Sequence, residues 1–508
     1  MHTRFEYPRL AADALAGDAD ATSSAVTHPI DDRVVLEAIA RHQRRVAPRI
    51  HKLWLYYRND LAETRSTRGW YRQAQEAGLP PRVTGAPAFD SPFDLGVRSE
   101  NSIVLDDRAR GRREVVVEND IAWRIHAMVD FMFGKPVRVM STARDERLRQ
   151  RIEQILDAAW EASGGIALLQ DAALLGHVFG YVDFLVRVDP AIASLPGDAP
   201  AATLARAVRI EVVDPLRGTP ILDPDDYRVI RAFATHDERE ALELDAEHPG
   251  RRRRINVTEI LADGWRRVFE DGRLIERSPL RLPAGETGVV HVQNIAQPFR
   301  YEGLSEVEPL IPLQDELNTR LSDRAHRISM QCFKMYLAKG IDGFGVTPVG
   351  PGQVWSTDNE DASIEAFGGD ANSPTEEQHI LEIREAIDKV SGVPPIASGV
   401  VRAKIGNLSS ANALRITLMG VLSKTARKRV SYGRGMAGVC RLILGALDIA
   451  GVLKTGEDDR GVRFDWPDPL PDDLREKVAT AEARVRLGVP PERIAQELGF
   501  APTDPGIQ

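Results

Sequence analysis

The strongest constraint in this chain is a helical period that continues well past the length a compact core requires. From Ser305 onward, apolar residues recur at Leu310, Leu313, Leu317, Leu321, Ala325, Ile328, Cys332 and Met335, always three or four apart. That spacing predicts one face of a single helix sustained for about seven turns. Asp315, Glu316, Arg320, Asp323, Arg324 and Arg327 fill the gaps, so the opposite face is wet. From Pro312 to Lys339 such a rod would reach roughly 40 Å. Ser305 and Glu308 have the spacing of a capping box, which fixes the start. Pro309 and Pro312 should bend the first turns or delay their regular geometry. A second helical run begins at Thr375, with Ile380, Ile383, Ile387 and Val390 inward and Glu376, Glu377, Glu382 and Glu385 outward. A third runs from Ser409 or Ser410 to about Ala450. Rods of this kind line or span something long.

The remainder of the chain alternates helix and strand patterns. Residues 1–30 lack any apolar period and read as a mobile arm. A helix follows Asp31, and another runs from Asn119, closed by Phe133-Gly134-Lys135-Pro136-Val137. Helices are expected over Arg144–Ala162 and Ile166–Leu175, after which Gly176 to Gly180 opens a strand-rich region. Val182–Val188, Val208–Val213, Tyr227–Ala234, Arg251–Ile255, Gly264–Glu270 and Val289–Asn294 have the alternation or β-branching of antiparallel strands. The block Arg251 to Arg254 lies near Glu243, Asp245 and Glu247, which favours a solvated hairpin over a nucleic-acid patch. Gly340–Pro374 is turn-rich, with short strand pieces at Gln353–Trp355 and Ser363–Ala366. Two short helices, Asp472–Leu487 and Pro491–Leu498, end the chain. The fold class is therefore α+β.

Composition excludes several function classes. The net charge of −9 is a poor basis for tight nucleic-acid binding, which needs a basic field. Only Cys332 and Cys440 are present, both on apolar helical positions, so a disulfide framework is excluded and two buried thiols are expected. No secretory signal or membrane-length apolar run is visible, which points to a chain made in a reducing cytoplasm with no membrane partner. The histidines are scattered without metal-ligand spacing, and neither a Walker loop nor a nucleophile elbow occurs, so no metal, cofactor or catalytic residue is assigned. Gly433-Arg434-Gly435-Met436-Ala437-Gly438, with Asp458 about twenty residues on, matches a dinucleotide fingerprint. Its setting in a continuing helical period argues instead for small residues that allow close packing.

The order of these pieces resembles the portal proteins of tailed double-stranded DNA phages. Phe133-Gly134-Lys135-Pro136-Val137 looks like that family's turn after an N-terminal helix. Gly176–Val188 followed by Val213-Asp214-Pro215 looks like its hairpin and strand end. Gly303-Leu304-Ser305-Glu306-Val307 before Leu313–Asn318 looks like its entry to the stem helix. Gly488–Ile494 resembles its C-terminal turn. The resemblance implies a wing over 31–302, a first stem helix over 303–339 and a clip over 340–374. A second stem helix over 375–391, a tunnel loop over 392–409, a long wing helix and return over 410–465 and a crown over 466–508 would follow.

Such a chain would be a structural protein, not an enzyme. It would form a virion ring of about twelve subunits at one capsid vertex, assembled in the host cytoplasm. Its partners would be double-stranded DNA without sequence preference, the terminase large subunit, the major capsid protein and a head-completion or adaptor protein. Arg402, Lys404 and Asn407 would touch DNA from the tunnel loop. Glu316, Asp323, Glu377 and Glu385 would make the stem wall acidic, keeping the duplex centred. Gln353, Trp355, Asp358 and Glu360 would dock partners at the clip. The competing readings are a non-ring minor capsid or scaffolding protein and an α+β metabolic enzyme, the latter lacking any clustered site.

Overall fold

In a computed structural model, the described residues are 30–63, 71–80, 83, 114–243, 251–332, 335–339, 359, 361–367, 374–399, 411–470, 474–488, 490 and 494. The mobile arm assigned to residues 1–30 falls almost wholly outside them. In chain order the elements are α1 (Asp32–Arg45), α2 (Ala47–Arg58), β1 (Leu61–Glu63), β2 (Tyr71–Gln73), α3 (Asp120–Phe133), β3 (Arg138–Ser141), α4 (Glu146–Ala162) and α5 (Gly165–Phe179). Then come β4 (Tyr181–Val188), α6 (Ala201–Arg206), β5 (Val208–Val213), β6 (Gly218–Leu222), β7 (Ile230–Glu243), β8 (Arg251–Ala262), β9 (Trp265–Glu270), β10 (Arg273–Pro279) and β11 (Val289–Gln293). The final set is α7 (Ile311–Cys332), β12 (Met335–Lys339), β13 (Ser363–Phe367), α8 (Pro374–Ser391), α9 (Ala411–Thr417), α10 (Met419–Ile449), β14 (Val462–Asp465) and α11 (Leu474–Arg486). This mixture of helices and antiparallel sheets is an α+β fold.

Two cores organise the molecule. In the first, the antiparallel sheet β11-β4-β5 carries α4 and α5 together with the long α10, and Phe184, Val292, Tyr432, Met436, Val439, Cys440 and Ile443 fill the space between. Cys440 is a buried free thiol, as expected, and the Trp160 indole N–H points at its sulfur at 3.5 Å. Burial pushes that thiol up to about 12, so it is inert near neutrality. In the second core, Ile50, Leu53, Tyr56 and Ile125 of α2 and α3 meet Leu317 and Leu321 of α7 and Ile380, Ile383 and Ile387 of α8. A separate five-stranded sheet, β10-β9-β8-β7-β6, extends from the first core. In its hairpin the Arg254 guanidinium faces Glu238 at 3.3 Å on an exposed surface, the solvated arrangement expected there. Finally β14 pairs with β3, Val462 opposite Ser141, returning the chain after α10 to the N-terminal half.

Several sequence expectations are corrected. The first long helix starts at Ile311, after a 3-10 turn over Glu308–Leu310, which is the delay that its two prolines impose. It ends at Cys332 instead of Lys339, because Met335–Lys339 pairs as a strand with Ser363–Phe367. A five-residue apolar run fits either period, and here cross-strand pairing overrides the helical one. Ile328 and Val390, placed inward by their spacing, are 40% and 48% exposed. The capping box forms only half: Ser305 Oγ accepts the Glu308 amide at 3.2 Å, while the Glu308 carboxylate is held by Arg49 at 2.6 and 3.0 Å. α5 runs on to Phe179 and is stopped by Gly180, whose φ of +95° suits glycine. The third run is broken at Leu418 into α9 and α10. Among the described residues no single helix is long and apolar enough to cross a membrane.

Candidate channel wall and its anchor

The two rods α7 and α8 lie side by side, and the extended residues 116–119 with the first turn of α3, up to Arg124, clamp both. Gln314, Asn318 and Ser322 sit four apart on α7 and accept the backbone amides of Asp120, Glu118 and Val116 at 3.0, 3.0 and 2.9 Å. The match is geometric: four helical residues advance about 6 Å, and two extended residues advance nearly the same. Asn318 also donates to the Gln75 side chain at 3.0 Å, closing the ladder in a buried setting. On the other rod, Arg384 reaches Glu118 at 2.5 Å. Arg124, 1% exposed, lies between Asp388 of α8 and Asp120, the latter at 3.5 Å. A buried guanidinium of this kind needs carboxylates on both sides to offset its desolvation.

The entry to α7 is anchored by a second buried network. Ser305 Oγ donates to the Val178 carbonyl at 2.6 Å, and the Glu306 amide donates to the His177 carbonyl at 2.9 Å, which ties the entry to the end of α5. The Glu306 carboxylate receives Lys424 at 2.9 Å, Lys428 and the Asn294 amide at 3.3 Å. Lys424 also donates to the Ser391 carbonyl at 2.8 Å, and Tyr432 donates to Asn294 at 3.4 Å. This network around Glu306 therefore joins the end of α5, the residue after β11, the entry to α7, the end of α8 and the long α10. Burial alone would raise the Glu306 carboxyl, but Lys428, His177 and Lys424 hold it well below the usual carboxylate range. Burial, opposed by Glu306 and aided by Lys424, pushes the Lys428 ammonium down to about 8. His177 is fully buried and pushed down to about 3 by that burial and by Lys428, so it is neutral.

α10 reaches β11 at glycines. A methyl placed on Gly435 would stand 2.1 Å from Val292 Cγ2, and one on Gly438 would stand 3.1 Å from Val290 Cγ1. The Gly-x-Gly-x-x-Gly string is thus a packing surface inside a continuous helix.

The residues expected to form the wall are distributed as follows. Glu316 and Asp323 lie on α7 one on either side of Arg320, at 2.6 and 3.3 Å, and Glu316 also lies 3.6 Å from His379 of α8. Burial works to raise the Glu316 carboxyl, yet Arg320 and His379 keep it below its ordinary value. Glu377 and Glu385 are exposed on α8 and make no ion pair among the described residues. Arg402, Lys404 and Asn407, and likewise Gln353, Trp355, Asp358 and Glu360, lie outside the described residues. The start of the assigned loop is packed: Val393 is fully buried beside Met128 and Val421. Among the described residues there is no cluster that would hold a metal ion.

A family profile described as "Phage portal protein, SPP1 Gp6-like" matches residues 36–501. The chain belongs to the phage portal family. As a portal it forms the channel at a capsid vertex, and the family is a structural one. Two solved structures similar to this portal are "Virion of native gene transfer agent (GTA) particle" and "Neck of empty GTA particle computed with C6 symmetry". The first is 12% identical with a TM-score of 0.43, over 75% of this chain and 89% of that one. The second is 14% identical with a TM-score of 0.43, over 75% of this chain and 90% of that one. No curated protein matches the chain.

The anchor of this portal, Glu306 with Lys424, Lys428 and His177, is the part that sequence reasoning missed. A signal for it existed. The buried stripe of α10 runs Val421, Thr425, Lys428, Tyr432, Met436 and Val439, so a lysine occupies a core position in an otherwise apolar period. A cation there requires a buried acid.

Proposed function

We propose that copies of this portal close into a ring of roughly a dozen subunits, with α7 and α8 as the paired stem rods around a DNA passage. Residues 340–374, which include β13, would be the clip that meets the terminase large subunit during packaging and an adaptor protein afterward. The five-stranded sheet and the helices around the first core would form the wing that faces the major capsid protein. Assembly would take place in the host cytoplasm, and the ring would remain in the virion with no enzymatic role of its own.

The family match over nearly the whole chain carries this reading. Two features of the geometry support it. Both rods are fixed at one end by the same segment, which suits a wall that must stay straight while a polymer slides past. On α8, Glu377 and Glu385 are open acids, whereas Glu316 and Asp323 share Arg320, which offsets part of their charge. A repelling wall would therefore rest on α8 more than on α7. The tunnel-loop role narrows in the same way, from 392–409 to the stretch after Gly399, since Val393 belongs to the core. Deleting residues 400–408 should leave rings intact and abolish DNA packaging in vitro. Normal packaging by that deletion would remove the loop from the mechanism.

A further inference from the structure

Between the end of α8 and the start of α10 lies a cavity of about 340 Å³ whose charge is not balanced. Lys389, Lys424 and Arg427 line it together with Ser423 and two glycines, Gly392 and Gly420. Gly392 has a φ of +66° and open space where a side chain would stand, and a methyl on Gly420 would meet only the Gly392 carbonyl, at 3.6 Å. Lys389 and Arg427 are exposed and make no ion pair among the described residues. Behind Lys424, the buried Lys428 shares the same single carboxylate, Glu306. Two ammonium groups on one acid leave a surplus positive charge under the pocket, and neither His177 nor Asn294 offsets it. A concavity lined by cations, a serine and glycines has the chemistry of an anion site.

We propose that this pocket is a phosphate site that takes a backbone phosphate of the duplex in the channel. The inference rests on the channel reading above, which supplies the duplex; the same chemistry would also take free inorganic phosphate. Lys and Arg at an exposed pocket hold phosphate without reading bases, and two or three such contacts are weak enough to let a duplex move on. Gly392, the first residue of the assigned loop, is part of the lining, so a phosphate held here stands at the start of that loop.

The test is fluorescence anisotropy of a labelled duplex on the full-length protein across a salt series, repeated with an unrelated sequence. The unmodified protein should bind both duplexes weakly and equally. Lys389→Ala with Arg427→Ala should lower the salt slope by about 2 and weaken binding alike for both sequences. Lys389→Arg with Arg427→Lys should restore both. An unchanged slope in the double alanine protein overturns the proposal. So does a thermal shift with inorganic phosphate, lost in that variant, when no duplex binds. Because ring closure is read separately from particle mass, failure of the pocket and failure of the channel reading are distinguishable.

Discussion

Lys428 and Glu306 form an ion pair in which the lysine side chain is 0% and the glutamate 5% exposed, 122 residues apart on α10 and at the entry to α7. Removing one partner of such a pair leaves an uncompensated buried charge, at a cost of about 3–5 kcal/mol. Glu306→Ala should therefore lower stability by that amount in urea unfolding. Combining Glu306→Leu with Lys428→Met should recover part of the loss, and a double-mutant cycle measures the coupling. Strictly additive losses would show that the pair does not join the two elements.

Acid should loosen the same junction in two steps. His177 is held down to about 3 against an ordinary value of 6.5, so the unfolded chain binds a proton that the folded chain refuses. The His177 contribution to stability then falls as pH drops below about 6.5, by at most about 1.4 kcal/mol per pH unit, and is constant above that point. Glu306, held below its ordinary 4.5, adds a second loss as pH falls under that value. His42, lowered by burial against Glu302, contributes a smaller loss in the first window. In His177→Gln the first limb should flatten while the second remains, as read from midpoints of thermal unfolding at a series of pH values. A first limb unchanged by that substitution would exclude His177 as its source.

Two glycines in one helix should respond in opposite directions. Gly435→Ala forces a methyl into Val292 and should cost about 1–3 kcal/mol, partly recovered by Val292→Ala. Gly433→Ala meets only the Trp466 ring at 3.8 Å, an ordinary contact, and should gain up to about 1 kcal/mol from helix propensity. Chemical denaturation of the pair decides whether close approach to β11 is the reason for glycine.

The clamp on α7 has a similar internal control. Asn318→Leu strands the Glu118 amide and the Gln75 side chain in a buried setting and should cost about 1–3 kcal/mol. Asp323→Ala, at the half-exposed end of the Arg320 pair, should stay within about 0.5 kcal/mol. Equal effects would mean the ladder contributes no more than a surface ion pair.

How much of this was legible in advance follows from which forces act locally. The inward faces of α7 and α8 at Leu317, Leu321, Ile380, Ile383 and Ile387 follow from period alone, and so do β4, β5, β9 and β11. β6 and β10 are not among the expected strands, and β7 and β8 run well past their expected ends at Ala234 and Ile255. The end of α7 did not, because Met335–Lys339 becomes a strand only when Ser363–Phe367 arrives to pair with it. Gln314, Asn318 and Ser322 read as polar helix surface, and nothing local says that residues 116–120 lie along them. The Glu306 anchor is likewise a product of chain segments more than a hundred residues apart. Polar residues whose partners are distant are the part that a one-dimensional pattern hides.

The ring itself is tested most directly by native mass spectrometry of the purified protein, with negative-stain images of the same sample. Annular particles of roughly a dozen copies around an open centre are expected. A monomer or dimer with α7 and α8 enclosed in one compact particle would contradict the channel.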